Sequence, residues 1–119
     1  MLNKTVVLTV LAVTAAAALA LQRTSTQRTP QLENDSVKVW KTLILPRQPL
    51  EMHRHENGRV IVALKGGTIR IVPQSGTPRV LTWETGKAYW LTPDPPGELH
   101  GDENVGPGDI EVMVVELKR

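Results

Sequence analysis

The chain has 119 residues, enough for one domain, and its 40% hydrophobic and 22% charged residues are typical of an ordinary globular protein. Three of the 14 basic residues, Lys4, Arg23 and Arg28, lie before Pro30, and none of the 12 acidic residues does. From Pro30 onward the chain therefore has 14 − 3 = 11 basic and 12 acidic residues. This balance excludes a basic nucleic-acid-binding module, and the absence of cysteine excludes disulfides, thiolate metal sites and thiol nucleophiles.

The head of the chain, residues 1–20, has the layout of a secretory signal peptide. Residues 5–21, which follow Lys4, are 17 uncharged residues, and the triplet ALA at 18–20 matches an A-x-A cleavage pattern. An uncleaved anchor is the alternative, although 17 residues rich in Ala and Thr are short for a membrane span. We predict cleavage, a polar linker at 21–35 and one domain at 36–119. The mature protein would be periplasmic or secreted and would not contact the membrane.

The rest of the chain reads as a series of short strands separated by Gly- and Pro-rich turns. The predicted strands are residues 37–45, 50–55, 59–65, 68–72, 79–83, 87–91 and 110–117. This pattern predicts an all-β sandwich or barrel. Because a domain of this size without disulfides has a marginal core, sheet closure, metal binding or a homodimer would each help to stabilise it.

The three histidines of the chain form two clusters. His53 and His55 form a His-x-His pair, which on a strand would face one side with Cα atoms about 6.6–7 Å apart. His100 lies 45 residues later, after a Pro-Gly turn. In a closed barrel the three could meet at one point, and three imidazoles with open positions suit Fe, Mn, Zn, Ni or Cu. A solvated pair on an edge strand is the alternative.

The histidines and their surroundings resemble the two motifs of the cupin family. The first motif places His-x-His before a glutamate that is separated by six residues from a glycine; here His53 and His55 precede Arg59 and Gly66. The second runs from a glycine through Pro-x-Gly to His and Asn, matched by Gly86, residues 95–97, His100 and Asn104. The resemblance covers about residues 37–117. It implies a cupin-type double-stranded β-helix, an antiparallel jelly-roll barrel, with the three histidines as metal ligands.

The chain departs from the cupin pattern at three places. Arg47 replaces the opening glycine of the first motif, and eight residues separate Gly86 from Pro95 instead of about five. Arg59 replaces the glutamate ligand. With Arg59 and the ending VVELK, the chain resembles small single-domain bacterial cupins of the cupin-2 type, some of which are labelled beta-alanine degradation proteins.

Arg59 leaves three alternatives for the site. A guanidinium about 5 Å from a divalent ion would be repelled by roughly 6–7 kcal/mol at an effective dielectric of 20. Arg59 therefore pairs with a carboxylate such as Glu51 or Glu98, shares an anionic ligand with the metal, or marks a site without metal. In the second case its planar fork of donors would bind a carboxylate or phosphate.

Several other residues are candidates for the same site. Glu51, Glu56 and Glu98 could supply a replacement carboxylate, although surface positions or pairing with arginine are the alternatives. Trp90 and Tyr89 are adjacent on a strand, so one of them faces inward. We assign Arg59, Trp90 and Glu98 as candidate ligand-binding residues, with core packing as the alternative for the aromatic ring.

Two functions and a structural alternative follow from these residues. A metal-dependent enzyme would act on a small anionic ligand, and the resemblance implies dioxygenase or isomerase chemistry. A non-catalytic cupin would bind a small ligand or a metal in the same pocket. The third possibility is a metal-free barrel with a role in dimerisation.

Overall fold

A computed structural model of the protein describes residues 25–119, which form antiparallel strands and no helix. The strands are β1 (Gln27–Glu33), β2 (Val37–Ile44), β3 (Arg59–Lys65), β4 (Gly67–Pro73), β5 (Arg79–Trp83), β6 (Ala88–Leu91), β7 (His100–Asn104) and β8 (Ile110–Leu117). One sheet has the order β1-β2-β8-β3-β6 and the other the order β5-β4-β7. The all-β prediction is confirmed, whereas the predicted signal peptide at 1–20 lies outside the described residues. Residues 25–119 include no helix that could span a membrane.

The first strand corrects the predicted linker at 21–35. Gln27–Glu33 pairs along β2, and Asn34 closes the hairpin by accepting hydrogen bonds from the backbone N–H groups of Ser36 and Val37. Every residue of β1 is exposed. An edge strand of this kind is stabilised mainly by its backbone ladder, so its polar composition resembles that of a linker.

One further strand prediction is wrong, and one strand was not predicted. Residues 50–55 form no strand and contribute only an isolated bridge between His53 and His100. His100–Asn104 does form a strand, although its sequence HGDEN has low β-propensity. It becomes β7 because it pairs with β4, from Ile69 opposite Asn104 to Pro73 opposite His100.

The interior changes from apolar to polar along the strands. Its buried apolar part consists of Trp40, Ile44, Ile61, Ala63, Ile69, Trp83, Ile110, Val112 and Val114. On β3 and β8 the inward rows continue to Arg59 and Glu116, which lie opposite each other in the ladder. Since inward residues alternate along a strand, this register places charged groups at one end of the barrel interior.

Asn104 joins β7 to two other segments and provides a test of the fold. Its side chain is 1% exposed, donates to the carbonyl oxygens of Ile44 (2.9 Å) and Gly108 (2.7 Å), and accepts from the N–H of Gly106 (2.9 Å). Because Asn104→Ala would leave buried backbone groups unpaired, we expect it to lower the free energy of unfolding by about 2–3 kcal/mol. Urea denaturation would measure this loss.

Asn34→Ala is the matched control for that substitution. Asn34 also accepts two backbone hydrogen bonds, but water can replace them at its exposed position. We expect a loss below about 1 kcal/mol. Equal losses for the two variants would contradict the assigned role of Asn104.

Candidate metal centre

Hydrogen bonds hold the His-x-His loop between strand β7 and the loop that precedes β7 in the chain. The N–H of His53 donates to the carbonyl of His100 at 2.9 Å, and the reverse bond measures 2.8 Å. The N–H of His55 donates to the Asp94 carboxylate at 2.7 Å, and the N–H of Asp94 donates to the carbonyl of His55 at 2.9 Å. The loop therefore has fixed partners on both sides although it is not a strand.

The three histidines meet at one place in the barrel. One potential ligand atom from each of His53, His55 and His100 lies within 4.8 Å of the other two. The ring centroid of His53 is 4.9 Å from that of His55 and 4.4 Å from that of His100. His55 and His100 are buried, and His53 is partly buried. The predicted grouping of two sequence clusters thus occurs in the structure.

Each imidazole has an acceptor beside its Nδ1 atom. His53 Nδ1 donates to the carbonyl oxygen of Glu51 at 2.7 Å. His55 Nδ1 lies 3.2 Å from a carboxylate oxygen of Glu116, and His100 Nδ1 lies 3.3 Å from one of Asp94. Acceptors in these positions favour the tautomer in which Nε2 carries the lone pair, an arrangement common among metal-binding histidines.

Asp102 lies on the Nε2 side of two of these rings. One carboxylate oxygen is 3.3 Å from His53 Nε2, and the other is 3.7 Å from His100 Nε2. The shorter contact does not have hydrogen-bond geometry, and the buried Nε2 atom of His53 has no hydrogen-bond partner among the described residues. Asp102 was not predicted from the sequence, although it is two residues from His100 and so shares its side of β7.

Arg59 turns to a carboxylate, but not to either one proposed from the sequence. Its side chain is buried, donates to the carbonyl of Thr92 at 3.2 Å and lies 3.8 Å from the Asp94 carboxylate. Asp94 also contacts the ring of His100 and the backbone of His55, whereas the side chain of Glu51 is exposed.

Burial and charge keep His55 and His100 neutral. Burial, followed by the charge of Arg59, lowers the pKa of His55 to about 3. Burial also lowers the pKa of His100. Burial alone would raise the pKa of Asp102, but contact with His53 and the positive charge that the rings carry when protonated hold it below its usual value. At neutral pH the site therefore holds His55 and His100 as neutral imidazoles beside an ionised carboxylate, the forms that bind metals.

The predicted ligand-binding residues line one groove beside the site. A groove with a volume of about 560 Å³ is bordered by Arg59, Trp90, Glu98 and His100. Trp90 is 54% exposed and lies over Gly58, whereas Tyr89 faces inward and packs against the core.

The remaining carboxylate candidates lie apart from the histidines. Glu56 is exposed and pairs with Arg54 at 3.1 Å, which fits the surface alternative considered for it. Glu51 contributes its backbone carbonyl to His53, while its side chain is exposed. These positions leave Asp102 as the carboxylate closest to the Nε2 atoms.

Three functional candidates besides Asp102 were not predicted from the sequence. Glu116 continues the inward row of β8 and could have been found from strand alternation. Asp94 lies in a Pro-rich loop, so no periodic signal marks it. Arg28 lies in the segment predicted as a linker; its guanidinium is 5.7 Å from the centroid of the Trp40 ring and borders a second groove with His55 and Glu116.

Comparison with solved structures establishes the fold as a cupin-type double-stranded β-helix. A cupin domain from Bordetella pertussis Tohama I is 22% identical, with a TM-score of 0.69 over 80% of this chain and 95% of that chain. A protein with a double-stranded β-helix domain from Klebsiella pneumoniae is 22% identical, with a TM-score of 0.59 over 79% and 77% of the two chains.

One similar structure is named as an enzyme. The DMSP lyase DddQ from Ruegeria pomeroyi DSS-3 is 14% identical, with a TM-score of 0.56 over 78% of this chain and 47% of that chain. No protein-family profile matches the sequence, and no curated protein matches it. At these identities the similarities establish the fold alone.

Proposed function

We propose that the protein is a periplasmic or secreted cupin that binds a divalent transition metal through His53, His55 and His100 and binds or acts on a small anionic ligand. The observation that carries the proposal is the orientation of the rings. Their Nδ1 atoms are placed beside acceptors, and the buried Nε2 atom of His53 lacks a hydrogen-bond partner among the described residues. A lone pair left in this way is the expected state of a metal ligand.

The histidine cluster fits an ion in size and chemistry. Metal–nitrogen distances of about 2.1 Å place the ligand atoms of one ion about 3.0–4.2 Å apart. The three histidine atoms lie within 4.8 Å of one another, so small side-chain movements would bring them into that range. A bound ion would act as a Lewis acid or redox centre, and the donor set suits Fe, Mn, Zn, Ni or Cu.

Charge around the site supports the proposal of an anionic ligand. The carboxylates Asp94, Asp102 and Glu116 are offset by the guanidiniums of Arg28 and Arg59, which leaves 2 − 3 = −1 around neutral histidines. A divalent ion would change this sum to +1. Arg59 would then orient an anion in the groove that it shares with His100.

The enzymatic and binding versions of this function differ in their need for a base. Dioxygenase or isomerase chemistry remains the enzymatic proposal, and the similarity to a lyase is consistent with catalysis on this fold. The contacts of the nearby acids favour a non-catalytic binder, because Asp94, Asp102 and Glu116 each contact a histidine. An acid engaged with a histidine or a metal is not available to accept a substrate proton.

Localisation and subgroup are also parts of the proposal. The apolar head of the chain supports export through a signal peptide at 1–20, which lies outside the described residues. Arg59 and the ending VVELK support placement among the small cupins with arginine at this position. A homodimer is consistent with the exposed edge strand β1.

Elemental analysis of the mature protein tests the metal proposal. We expect about one transition metal per chain in the wild type and almost none in His53→Ala, because three neutral imidazoles bind far more tightly than two. Chelation should lower the melting temperature of the wild type but not of His53→Ala. Glu56→Gln is the control, since Glu56 is exposed and pairs with Arg54 away from the histidine rings, and it should retain the metal.

Metal-free wild-type protein whose melting is unchanged by chelation would support the structural cupin instead. For a protein that does contain metal, oxygen uptake with catechols, flavonols or thiols would distinguish a dioxygenase from a binder. A small carboxylate that raises the melting temperature without turnover would support binding alone.

A further inference from the structure

We propose that Asp102 is a fourth protein ligand of the metal, in place of the carboxylate that the cupin resemblance expects at the position of Arg59. This assignment rests on the proposed metal site and adds a residue to it. The acidic ligand would thus come from β7, two residues after His100, instead of from β3.

Strand β7 carries both His100 and Asp102 and is hydrogen-bonded to the backbone of His53. His100, Asp102 and Asn104 alternate along β7 and face the interior, and Asp102 lies opposite the buried Ile71 of β4. The carbonyl of Asp102 accepts from the N–H of Leu50 at 2.9 Å, and two residues away β7 pairs with His53. The His53 loop and the Asp102 side chain are therefore held by one segment of backbone.

The contact between Asp102 and His53 places a carboxylate oxygen beside the nitrogen that would bind the metal. His53 Nδ1 faces a carbonyl, which can only accept, so this nitrogen carries the ring hydrogen. In a neutral ring Nε2 is then an acceptor, yet it lies 3.3 Å from a carboxylate oxygen. Two acceptors in contact repel each other unless a proton or a metal ion lies between them. A metal ion bound by both atoms would remove this repulsion.

The distances are close to those between neighbouring ligands of one ion. Two atoms bound at about 2.1 Å are about 3.0 Å apart in octahedral geometry and about 3.4 Å apart in tetrahedral geometry. Asp102 oxygens lie 3.3 Å and 3.7 Å from the Nε2 atoms of His53 and His100. Its negative charge also offsets the repulsion that Arg59 would exert on a cation.

A cysteine at position 102 provides a direct test, because the natural chain contains none. A thiolate that binds Co²⁺ produces an intense near-ultraviolet charge-transfer band, so we expect Asp102→Cys loaded with Co²⁺ to have this band. Glu103→Cys is the control. Glu103 pairs with Arg70 away from the histidines and should give no band.

Affinity for Zn²⁺ measured by calorimetry provides a second test that does not depend on the thiol. We expect Asp102→Asn to weaken binding by about 100-fold or more, beyond the range typical of residues that only orient a ligand. Glu103→Gln, which removes the same charge from the same strand, should change affinity less than about threefold. Circular dichroism would confirm that each variant is folded.

The outcomes separate this assignment from the proposed function. If the wild type and Asp102→Asn bind Zn²⁺ equally and folded Asp102→Cys has no charge-transfer band with Co²⁺ bound, the assignment of Asp102 is overturned while the histidine site stands. If Asp102→Cys fails to fold, the affinity of Asp102→Asn decides alone. A wild type that binds neither metal overturns both proposals.

Discussion

Replacing Gly66 with alanine is expected to lower the free energy of unfolding by about 3 kcal/mol or more. Gly66 lies between β3 and β4, and its backbone is packed against the strand end at Trp83. A methyl group there would overlap the carbonyl oxygen of Trp83 and lie 2.8 Å from the backbone nitrogen of Thr85. Because both obstacles are backbone atoms, no rotamer change relieves the clash. Urea denaturation at pH 7 measures the loss.

Gly108→Ala separates this steric effect from a general cost of replacing glycine. A methyl group on Gly108 would point into open space, with no atom beyond its chain neighbours within 4 Å, and the φ of Gly108 is outside the left-handed region. We expect a change within about 1 kcal/mol, which could be a gain because alanine restricts the unfolded chain. Similar losses in Gly66→Ala and Gly108→Ala would refute the packing argument.

The strand pattern was predictable where both local signals agreed. Residues 59–65 and 110–117 combine β-branched residues with clear turn boundaries, and the structure has strands with these bounds. In β1 the signals conflicted, because an exposed edge strand has no apolar row. In β7 the sequence HGDEN was unfavourable, and pairing with β4 outweighed its low propensity. Such pairing depends on residues distant in sequence, so the local sequence pattern does not predict it.

The candidate site was predictable only in part, for a related reason. His53, His55 and His100 were identifiable because histidine is rare in this chain and suited to metals. The strand predicted for the first pair was wrong, since these residues lie in a loop. The partner of Arg59 could not be identified, because Asp94 follows Arg59 by 35 residues and meets it only through the barrel.

The location of Asp102 shows that the pairing of β7 decides which side chains lie beside the histidines. When the first motif is considered alone, Arg59 in place of a glutamate suggests a histidine site without a carboxylate. β7 brings a carboxylate to the Nε2 atoms from the second motif. The interior then holds both the arginine and an acid, so an arginine at position 59 does not leave the histidines without a neighbouring carboxylate.

The metal-free protein is expected to lose stability steeply in mild acid. The pKa of His55 is about 3 in the folded protein against an ordinary value of 6.5, because burial and Arg59 disfavour its charged form. The unfolded chain therefore binds more protons below pH 6.5, and stability falls as the pH falls toward 3. Between pH 7 and 5 this group alone should remove about 2 kcal/mol. The lowered pKa values of His100 and Asp102 act in the same direction, whereas the raised pKa of Glu116 opposes them.

Urea denaturation of chelator-treated protein at pH 7, 6 and 5 would measure this dependence, with His55→Gln as the control. Glutamine does not titrate, so the pH dependence should be shallower by about one proton, or about 1.4 kcal/mol per pH unit well below pH 6.5. Equal slopes for the two proteins would contradict a buried neutral His55. Metal bound to the neutral ring should preserve the stability of the wild type until protons displace it, so the acid transition should move to lower pH as metal is added.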